Sequence, residues 1–415
     1  MKIGYLMQQG VDVWHPPFDG PANHVRHVVE ALQRRGHQVR LLARLEGRIG
    51  YSDGLGPFQP VTVRHSDGGP LRWLERAVRR LQATLRLPYA GLFESIRFAQ
   101  ACRQELTGCD LLYERKSWMT YGGVLAARWM GIPLVLEENG DNLLDLEAKG
   151  QAPTGLQRRL SLAVMGWAMR GAAHVVASGE GWREQFIRRW GVDPSRVTTV
   201  ENGTVLVELL SREQLRSFRL RRAPQDPATL AYVGGFYPWH GVTHLLRAFA
   251  RTHRRFPQAR LLMVGYGAGY DEARQLAHQL GIGQAVTFTG QLAPEAYAPR
   301  LAQADIGLSP YCGWPEFSGL KVLDYKAAGL ATIASGHGKH PPTLRHGVTG
   351  WIVPPCDEDA LAGAMAALLA DPELCQRLGQ AARQEAEVCH TWERTVDRLL
   401  QVFQQVLAQK SDSMG

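Results

Sequence analysis

The chain has 415 residues, of which 45% are hydrophobic and 21% charged, and its formal net charge at pH 7 is +8. These fractions are typical of a soluble globular protein, and the length predicts two or three domains. No apolar run approaches the roughly 18 residues of a membrane-spanning helix, and no helix-turn-helix, zinc-finger or RNP-type motif indicates nucleic-acid binding.

The first half alternates short apolar runs with amphipathic segments. The chain enters a strand pattern directly after Met1, without an apolar signal segment, so we expect a cytoplasmic protein. Strands are predicted at residues 2–7, 38–43, 111–113, 134–137 and 174–176. Helices are predicted at residues 23–35, 89–106, 122–129, 156–170 and 181–190.

An arginine-rich amphipathic stretch covers residues 72–86 of this half, with apolar residues between its arginines. It is interpreted either as a patch for an anionic membrane surface or acidic acceptor, or as a solvated helix face. The first interpretation would place the protein peripherally on the inner face of a membrane.

The second half repeats the alternation. Its strands are predicted at residues 229–233, 260–264, 285–289, 306–309 and 331–334. Its helices are predicted at residues 242–253, 270–280, 294–304, 320–328 and 358–369. Two such series predict an α/β protein with two doubly wound, Rossmann-like domains that face a cleft.

The predicted first domain covers residues 1–208, and the second covers residues 228–390. Between them, the polar and proline-bearing stretch 209–227 is interpreted as a linker. A last amphipathic helix at residues 391–410 has no strand after it, so we expect it to pack back on the first domain.

Six cysteines lie at positions 102, 109, 312, 356, 375 and 389. None of them forms a C-x-x-C pair, so neither a zinc site nor a redox motif is indicated. We therefore expect free thiols in a reducing compartment.

Residues 316–324 read E-F-S-G-L-K-V-L-D and carry most of the functional information. They follow an apolar strand pattern and lead through a small-residue turn into a helix. The free N–H groups and positive dipole end of such a helix start bind anions. Carboxylates on either side accept hydrogen bonds from hydroxyls, so the pattern predicts a site for a nucleotide-sugar.

Taken with further motifs in the same order, this segment resembles the family-4 retaining glycosyltransferases of the GT-B fold over essentially the whole chain. Residues 316–324 are similar to the family's E-x7-E motif, with Asp324 as the second acid. The other segments that carry the resemblance are G-P-A-N-H-V at 20–25, Y-E-R at 113–115, E-E-N at 137–139, E-N-G at 201–203, Y-V-G-G-F at 232–236, W-H-G at 239–241 and G-V-T-G-W-I-V-P at 347–354.

The resemblance implies that the first domain lies on the acceptor side and that the second domain binds the nucleotide-sugar donor. It also implies roles residue by residue. Glu316 would bind hydroxyls of the transferred sugar, and Asp324 would bind the ribose. Gly20 would let a first-domain loop approach the diphosphate without a Cβ in the way. The remaining implied donor contacts are Tyr266 and Gln291 for the nucleobase, and the amides of Phe317, Ser318, Gly319 and Leu320 for sugar and phosphate oxygens.

The sequence departs from the family where the diphosphate is usually held. The family commonly has an Arg and a Lys at the positions of Gly235 and His240. Lys321, in the first turn of the predicted helix, is the candidate replacement, and His240 could assist if protonated. The alternatives are a solvent-facing lysine and a histidine that satisfies a cap or turn.

Other departures concern the first domain. Asn139 stands where many relatives carry a histidine near the reacting sugar carbon, and Asp19 replaces the first glycine of a common G-G pair. His24, beside Gly20, either faces the cleft or caps its helix. Glu114 and Arg115 either contact the acceptor or pair with each other.

The resulting prediction is a metal-independent, retaining transfer from a UDP- or GDP-sugar to a hydroxyl acceptor, in which the leaving phosphate helps to deprotonate the acceptor. No D-x-D-type metal motif stands at a strand end, and no cofactor is expected. The acceptor is a glycan, a lipid-linked molecule or a small molecule, with surface-polysaccharide assembly as an analogy. The competing interpretations are a non-catalytic nucleotide-sugar-binding subunit, a sugar-nucleotide epimerase or phosphorylase, and a two-lobed solute-binding protein.

Overall fold

The computed structural model describes residues 1–414 except positions 17, 19, 64–69, 85–91, 141, 149, 221–225, 314–318 and 337–342. The chain forms two compact units. The first unit comprises Met1–Glu201 and Thr395–Gly415, and the second comprises Asn202–Arg394.

The first unit is built on an eight-stranded sheet with helices in the crossovers. Its strands are β1 (Lys2–Met7), β2 (Gln38–Leu45), β3 (Arg48–Asp53), β4 (Gln59–Pro60), β5 (Leu111–Arg115), β6 (Leu134–Glu138), β7 (His174–Ala177) and β8 (Val197–Thr199). Its helices are α1 (Gly20–Arg34), α2 (Pro70–Thr84), α3 (Leu92–Glu105), α4 (Gly122–Met130), α5 (Asn142–Ala148), α6 (Gly155–Gly171) and α7 (Glu180–Trp190).

The strand order of this sheet is β4-β3-β2-β1-β5-β6-β7-β8. β3 pairs antiparallel with both of its neighbours, β2 and β4, and the other neighbouring strands pair parallel. The central strands are buried along their length, as expected where helices cover both faces of a parallel sheet. The order reverses between β1 and β5, so polar residues after these strands meet at one point of the sheet edge.

The second unit has a six-stranded, fully parallel sheet. Its strands are β9 (Thr229–Val233), β10 (Arg260–Val264), β11 (Val286–Gly290), β12 (Ile306–Ser309), β13 (Ala331–Ser335) and β14 (Trp351–Val353). Their order is β11-β10-β9-β12-β13-β14. The order therefore reverses between β9 and β12, which is where doubly wound sheets bind ligands.

Eight α-helices lie wholly within the described part of this unit: α8 (Leu206–Leu209), α9 (Arg212–Leu220), α10 (Val242–Arg255), α11 (Tyr270–Gln279), α12 (Pro294–Ala302), α13 (Leu320–Ala327), α14 (Glu358–Ala370) and α15 (Pro372–Cys389). They bury apolar faces on the two sides of the sheet. α10, for example, buries Leu245, Leu246 and Phe249 at helical spacing. Its last turn carries three basic residues, whose positive charge interacts favourably with the negative end of the helix dipole.

The last helix, α16 (Trp392–Met414), belongs to the first unit from Thr395 onward. Its buried face includes Val396, Leu399 and Phe403. The Phe403 ring lies edge-on to Tyr113 of β5, with the ring centroids 5.2 Å apart. A covered apolar face and aromatic packing of this kind make α16 part of the first unit's core.

Several elements differ from the sequence prediction. α1 begins at Gly20, three residues before the predicted start, because Pro21 fits the first turn of a helix. The stretch predicted as a linker, 209–227, contains α9, whose Leu215 is buried. The short strands β3, β4, β8 and β14 were not predicted, because runs of two to six residues carry little periodicity.

The prediction of free thiols is wrong for two cysteines. Cys312 and Cys356 form a disulfide, with their Cα atoms 4.8 Å apart. They follow β12 and β14, which both flank β13, so the sheet brings together residues that are 44 positions apart in sequence. Cys102, Cys109, Cys375 and Cys389 are free.

None of the helices in the described residues combines the length and apolar character needed to cross a bilayer.

Candidate active site

The carboxyl ends of β9 and β12 form the centre of the candidate donor site in the second unit. Gly234 and Gly235 follow β9, and Tyr311 lies two residues beyond the end of β12. Gly234 has φ 152° and approaches the side chain of Lys321, where an added Cβ would lie 3.1 Å from Cε. A side chain at Gly234 would therefore displace the lysine.

Lys321 is held at the start of α13. The helix begins after Gly319, whose φ of 57° belongs to the left-handed region. Lys321 is only 7% exposed, and its Nζ lies 4.3 Å from the Tyr311 ring centroid and 5.1 Å from that of Tyr232. The predicted alternative of a solvent-facing lysine is therefore wrong: the ammonium group is enclosed by aromatic faces that favour a cation.

His240 lies beside this lysine. Its Nδ1 is 2.6 Å from the Gly235 carbonyl oxygen, which also accepts a hydrogen bond from the Tyr232 hydroxyl at 2.5 Å. Burial and the positive charge of Lys321 lower the pKa of His240 from 6.5 to about 3. The condition under which His240 could assist, protonation, is therefore not met at neutral pH in this structure, and Lys321 is the cation of the pair.

Asp324, the second acid of the predicted motif, lies one turn further along α13. Its Oδ1 accepts a hydrogen bond from Thr204 Oγ1 at 2.6 Å, and its Oδ2 accepts one from the Tyr297 hydroxyl at 2.8 Å. Burial raises its pKa to about 6, although these two bonds act in the opposite direction. Asp324 is partly exposed, so its carboxylate could accept a hydrogen bond from a ribose hydroxyl in addition to those from Thr204 and Tyr297.

The residues predicted for the nucleobase lie after the neighbouring strands of this sheet. Tyr266 follows β10 and is 58% exposed, with its ring 4.9 Å from that of Tyr270. Its carbonyl oxygen accepts a hydrogen bond from the Phe236 amide at 3.2 Å. Gln291 follows β11 and is exposed. The sheet thus places both on the same edge as Lys321.

The remaining donor-motif residues, Glu316, Phe317 and Ser318, lie outside the described residues, as does Asp19 of the first unit. Of the predicted amide donors, Gly319 is buried and Leu320 is 52% exposed.

In the first unit, the candidate residue His24 makes a buried contact with Glu137. It is the fifth residue of α1, so it does not cap the helix. Its Nε2 lies 2.5 Å from Oε1 of Glu137 in β6, and the two residues are 7% and 4% exposed. Burial alone would raise the pKa of Glu137, but His24, Arg115 and Asn139 outweigh it and hold the pKa at about 2.

Gly20 and Asn139 lie close to this pair in the chain. Gly20 is the first residue of α1 and is exposed, and a Cβ there would meet no atom of the described residues within 4 Å. Asn139 directly follows β6 and lies close enough to Glu137 to stabilise its carboxylate. Both positions remain predictions as ligand contacts.

Glu114 does not fit its predicted acceptor role. It is 0% exposed, and one oxygen accepts a hydrogen bond from Gln8 Nε2. Burial raises its pKa to about 7. It does not pair with Arg115 either, because consecutive strand residues point to opposite faces of the sheet. Arg115 instead acts on Glu137, where it lowers the pKa.

Two family models match the chain on either side of the unit boundary. The model described as glycosyl transferases group 1 matches residues 214–385. The model described as a glycosyl transferase 4-like domain matches residues 19–203. The chain belongs to the family-4 glycosyltransferases. It is therefore a sugar-transferring enzyme, and the motif resemblance is confirmed.

Similar curated glycosyltransferases span most of this chain. The D-inositol 3-phosphate glycosyltransferase of Saccharomonospora viridis is 27% identical over 363 residues, covering 84% of this chain and 80% of the relative. The phosphatidyl-myo-inositol mannosyltransferase of Mycobacterium tuberculosis is 26% identical, covering 98% and 97%.

Solved glycosyltransferase structures confirm the predicted GT-B fold. HepE of Anabaena, solved in complex with UDP and glucose, has a TM-score of 0.68 at 19% identity and covers 98% of this chain and 100% of that one. Sucrose-phosphate synthase of Thermosynechococcus elongatus has a TM-score of 0.69 at 24% identity, covering 98% and 99%.

Sequence reasoning missed several groups that shape these sites in the glycosyltransferase. They are Glu137, Tyr232, Tyr311, Thr204 and Tyr297. Glu137 is the last residue of the predicted strand 134–137 and lies two positions before Asn139, and a carboxylate at the end of an apolar strand is a usable sequence signal. The tyrosines carry no such signal, because an aromatic residue near a strand end is usually predicted to be part of the hydrophobic core.

Proposed function

We propose that this glycosyltransferase uses a nucleoside diphosphate sugar, UDP- or GDP-linked, as its donor and transfers the sugar with retention of anomeric configuration. The observation that carries the proposal is the enclosed Lys321 ammonium, at the switch point of the second sheet and in the first turn of α13. Fixed positive charge beside a leaving diphosphate is usually the largest catalytic contribution in such a transfer.

Several groups support the diphosphate assignment. The start of α13 directs backbone N–H groups and a positive dipole end to the same sheet edge as Lys321. His240, neutral beside the lysine, would gain a proton when a phosphate enters, because a nearby anion raises a histidine pKa. Lys321 and His240 would in this way replace the Arg and Lys of other family members.

The rest of the donor is assigned by position. Tyr266 presents an exposed ring on which a nucleobase can stack, and Gln291 presents an amide on the neighbouring loop. Asp324 would accept a ribose hydroxyl, and Glu316 would bind the sugar hydroxyls. Gly20, which has no Cβ, would allow its loop to approach the diphosphate closely, and Asn139 would bind a sugar hydroxyl near the reacting carbon.

The buried acids favour a same-face route without an enzyme base. Glu137 is bound to His24 with its pKa near 2, so it is a poor proton acceptor. Glu114 is enclosed and bonded to Gln8. Neither carboxylate can attack a sugar, so the leaving phosphate is the group proposed to take the acceptor proton. Since Lys321 supplies the charge, we further propose that turnover does not require a divalent metal.

The acceptor is proposed to be a lipid-linked molecule or a glycan reached at a membrane surface. α2 exposes Trp73, Leu74 and Leu81, at 68%, 47% and 57%, and exposed Arg76 and Arg80 flank them. An apolar stripe edged by arginines suits an anionic bilayer surface. The side chain of Arg72 and residue Arg86, also part of the predicted patch, lie outside the described residues.

A ligand panel followed by turnover assays tests the proposal. UDP, GDP, ADP and TDP are compared by thermal shift, because a ligand of the native state raises its melting temperature. We expect one uridine or guanosine nucleotide to stand out. Its sugar conjugates are then incubated with anionic-lipid extracts, with and without EDTA, and the product anomer is assigned by NMR.

The expected result is a product that retains the donor configuration at an unchanged rate in EDTA. Failure of all four nucleotides to raise the melting temperature would refute the donor assignment. An inverted product, or a strict metal requirement, would refute the corresponding part of the mechanism.

A further inference from the structure

The disulfide Cys312–Cys356 crosslinks two loops at the carboxyl edge of the second sheet. Cys312 is the third residue after β12, and Cys356 is the third residue after β14. Cys356 is exposed, whereas Cys312 is half-buried. A thiol from solution therefore reaches the Cys356 sulfur more readily, which leaves Cys312 as the sulfur that departs.

A histidine is positioned to stabilise that departing sulfur. His244 Nε2 lies 3.2 Å from Cys312 Sγ. On the opposite side of the ring, Nδ1 lies 3.2 Å from Glu358 Oε1, and the Glu358 carboxylate is itself paired with Arg251 at 2.9 Å. The carboxylate fixes the ring orientation so that Nε2 faces the Cys312 sulfur, where an N–H group of the ring stabilises a thiolate.

Cys312 is also joined to the candidate donor site. Its amide donates a hydrogen bond to the Trp239 carbonyl oxygen at 3.0 Å. The preceding residue, Tyr311, has its ring 4.9 Å from that of His240 and 4.3 Å from Lys321 Nζ. The position of the Cys312 loop therefore sets the position of an aromatic ring that encloses the proposed phosphate cation.

We infer that Cys312 and Cys356 form a reversible redox pair that controls nucleoside diphosphate binding, a role that rests on the donor site proposed above. The oxidised form holds Tyr311 against Lys321 and binds the nucleotide. In the reduced form the two loops are no longer crosslinked, and ordering them becomes part of the cost of binding.

The exchange is written with a dithiol as the reductant. A dithiol thiolate attacks Cys356 Sγ, the bond between the two cysteine sulfurs breaks, and Cys312 leaves as a thiolate beside His244. The second dithiol sulfur, after losing its proton, attacks the mixed disulfide and releases the Cys356 thiolate. The protein gains two electrons and, once both thiolates are protonated, two protons, while the dithiol becomes a disulfide.

The redox chemistry is tested without any donor. The oxidised protein is titrated with dithiothreitol in EDTA, quenched with an alkylating reagent and analysed by peptide mass spectrometry. We expect Cys312 and Cys356 to be labelled together, and His244→Ala to slow their reduction by about tenfold because the leaving thiolate loses the imidazole contact that stabilises it. An oxidised sample without this disulfide, or an unchanged rate in the variant, would overturn the assignment of the pair and its histidine.

Control of binding is tested by calorimetry with UDP and GDP on the oxidised and reduced protein. Reduction should weaken binding by about tenfold, within the usual range of coupling between sites. The Cys312→Ser and Cys356→Ser double variant should bind like the reduced protein in both conditions. The matched control, Cys109→Ser with Cys389→Ser, removes two free thiols and should keep the full response.

Equal affinities of the oxidised and reduced wild-type protein would refute the control of binding. If neither form binds any nucleotide while the pair still titrates, the donor proposal fails and the redox pair stands.

Discussion

Removal of the Lys321 charge is the sharpest test of the donor site. Lys321→Met keeps most of the side-chain length among the Tyr232 and Tyr311 rings and deletes only the ammonium group. A phosphate about 4 Å from this group would gain about 4 kcal/mol at an effective dielectric constant near 20. Desolvation offsets part of this, and hydrogen bonds to charged groups contribute a net 1.5–3 kcal/mol, so we expect a loss of about 2 kcal/mol or roughly 30-fold in Kd.

His240 makes the effect depend on pH. Burial and Lys321 hold its pKa at about 3 in the unliganded wild type, so the histidine stays neutral from pH 5 to 8 until a phosphate binds. In Lys321→Met the electrostatic contribution to that low pKa disappears and the pKa of His240 rises. A protonated His240 then partly replaces the lost cation as the pH falls. The ratio of variant to wild-type Kd should therefore shrink from pH 8 to pH 5.

The assay is isothermal calorimetry with UDP and GDP at three pH values, with melting temperatures as a folding check. The ratio of the two Kd values cancels any protonation of the nucleotide itself. Arg377→Met is the matched control, because Arg377 is an exposed cation of α15. An unchanged Kd in Lys321→Met, or an equal loss in Arg377→Met, would refute the assignment of Lys321 as the diphosphate cation.

Three further predictions concern the acids. His24→Leu should cost about 3 kcal/mol of unfolding free energy at pH 7, because it leaves the Glu137 carboxylate buried without its main partner. The depressed pKa of Glu137 stabilises the wild type above its ordinary 4.5, and this contribution disappears as the pH falls to about 2, so urea curves of the two proteins should converge in acid. The raised pKa of Asp324 has the opposite effect on stability: the wild type loses unfolding free energy as the pH rises from 3.8 through about 6. Asp324→Asn should remove up to about 3 kcal/mol of that loss. Parallel pH profiles for Asp324→Asn and wild type would contradict this. Glu316→Gln should lower kcat/KM by about 100-fold without changing the melting temperature, as expected for a group that binds the sugar in the transition state; normal turnover would remove Glu316 from the site.

The alternation of strands and helices was readable from sequence because buried parallel strands and amphipathic helices have distinct periods. The same reasoning placed Lys321 and His240 correctly at a strand–helix junction. It could not find that Lys321 is enclosed by Tyr232 and Tyr311, because those rings come from different strand ends.

The protonation states and partners of several residues could not be predicted from the sequence either. The protonation of His240 depends on burial and on a lysine 81 positions later, and neither is visible locally. The sequence pattern predicts Glu114 as an accessible polar residue at a strand end, whereas in the structure Gln8 and α4 enclose its carboxylate. The partnership of Cys312 with Cys356 depends on strand order, which spacing does not encode.

The position of α16 has a consequence for synthesis of the chain. Domains generally fold as they leave the ribosome, the N-terminal one first. Here the first unit lacks the helix that covers Tyr113 until the whole second unit has been translated. The apolar surface that α16 covers therefore stays exposed on the nascent first unit until translation ends. We expect a fragment that ends at Glu201 to aggregate unless a peptide spanning residues 392–414 is added.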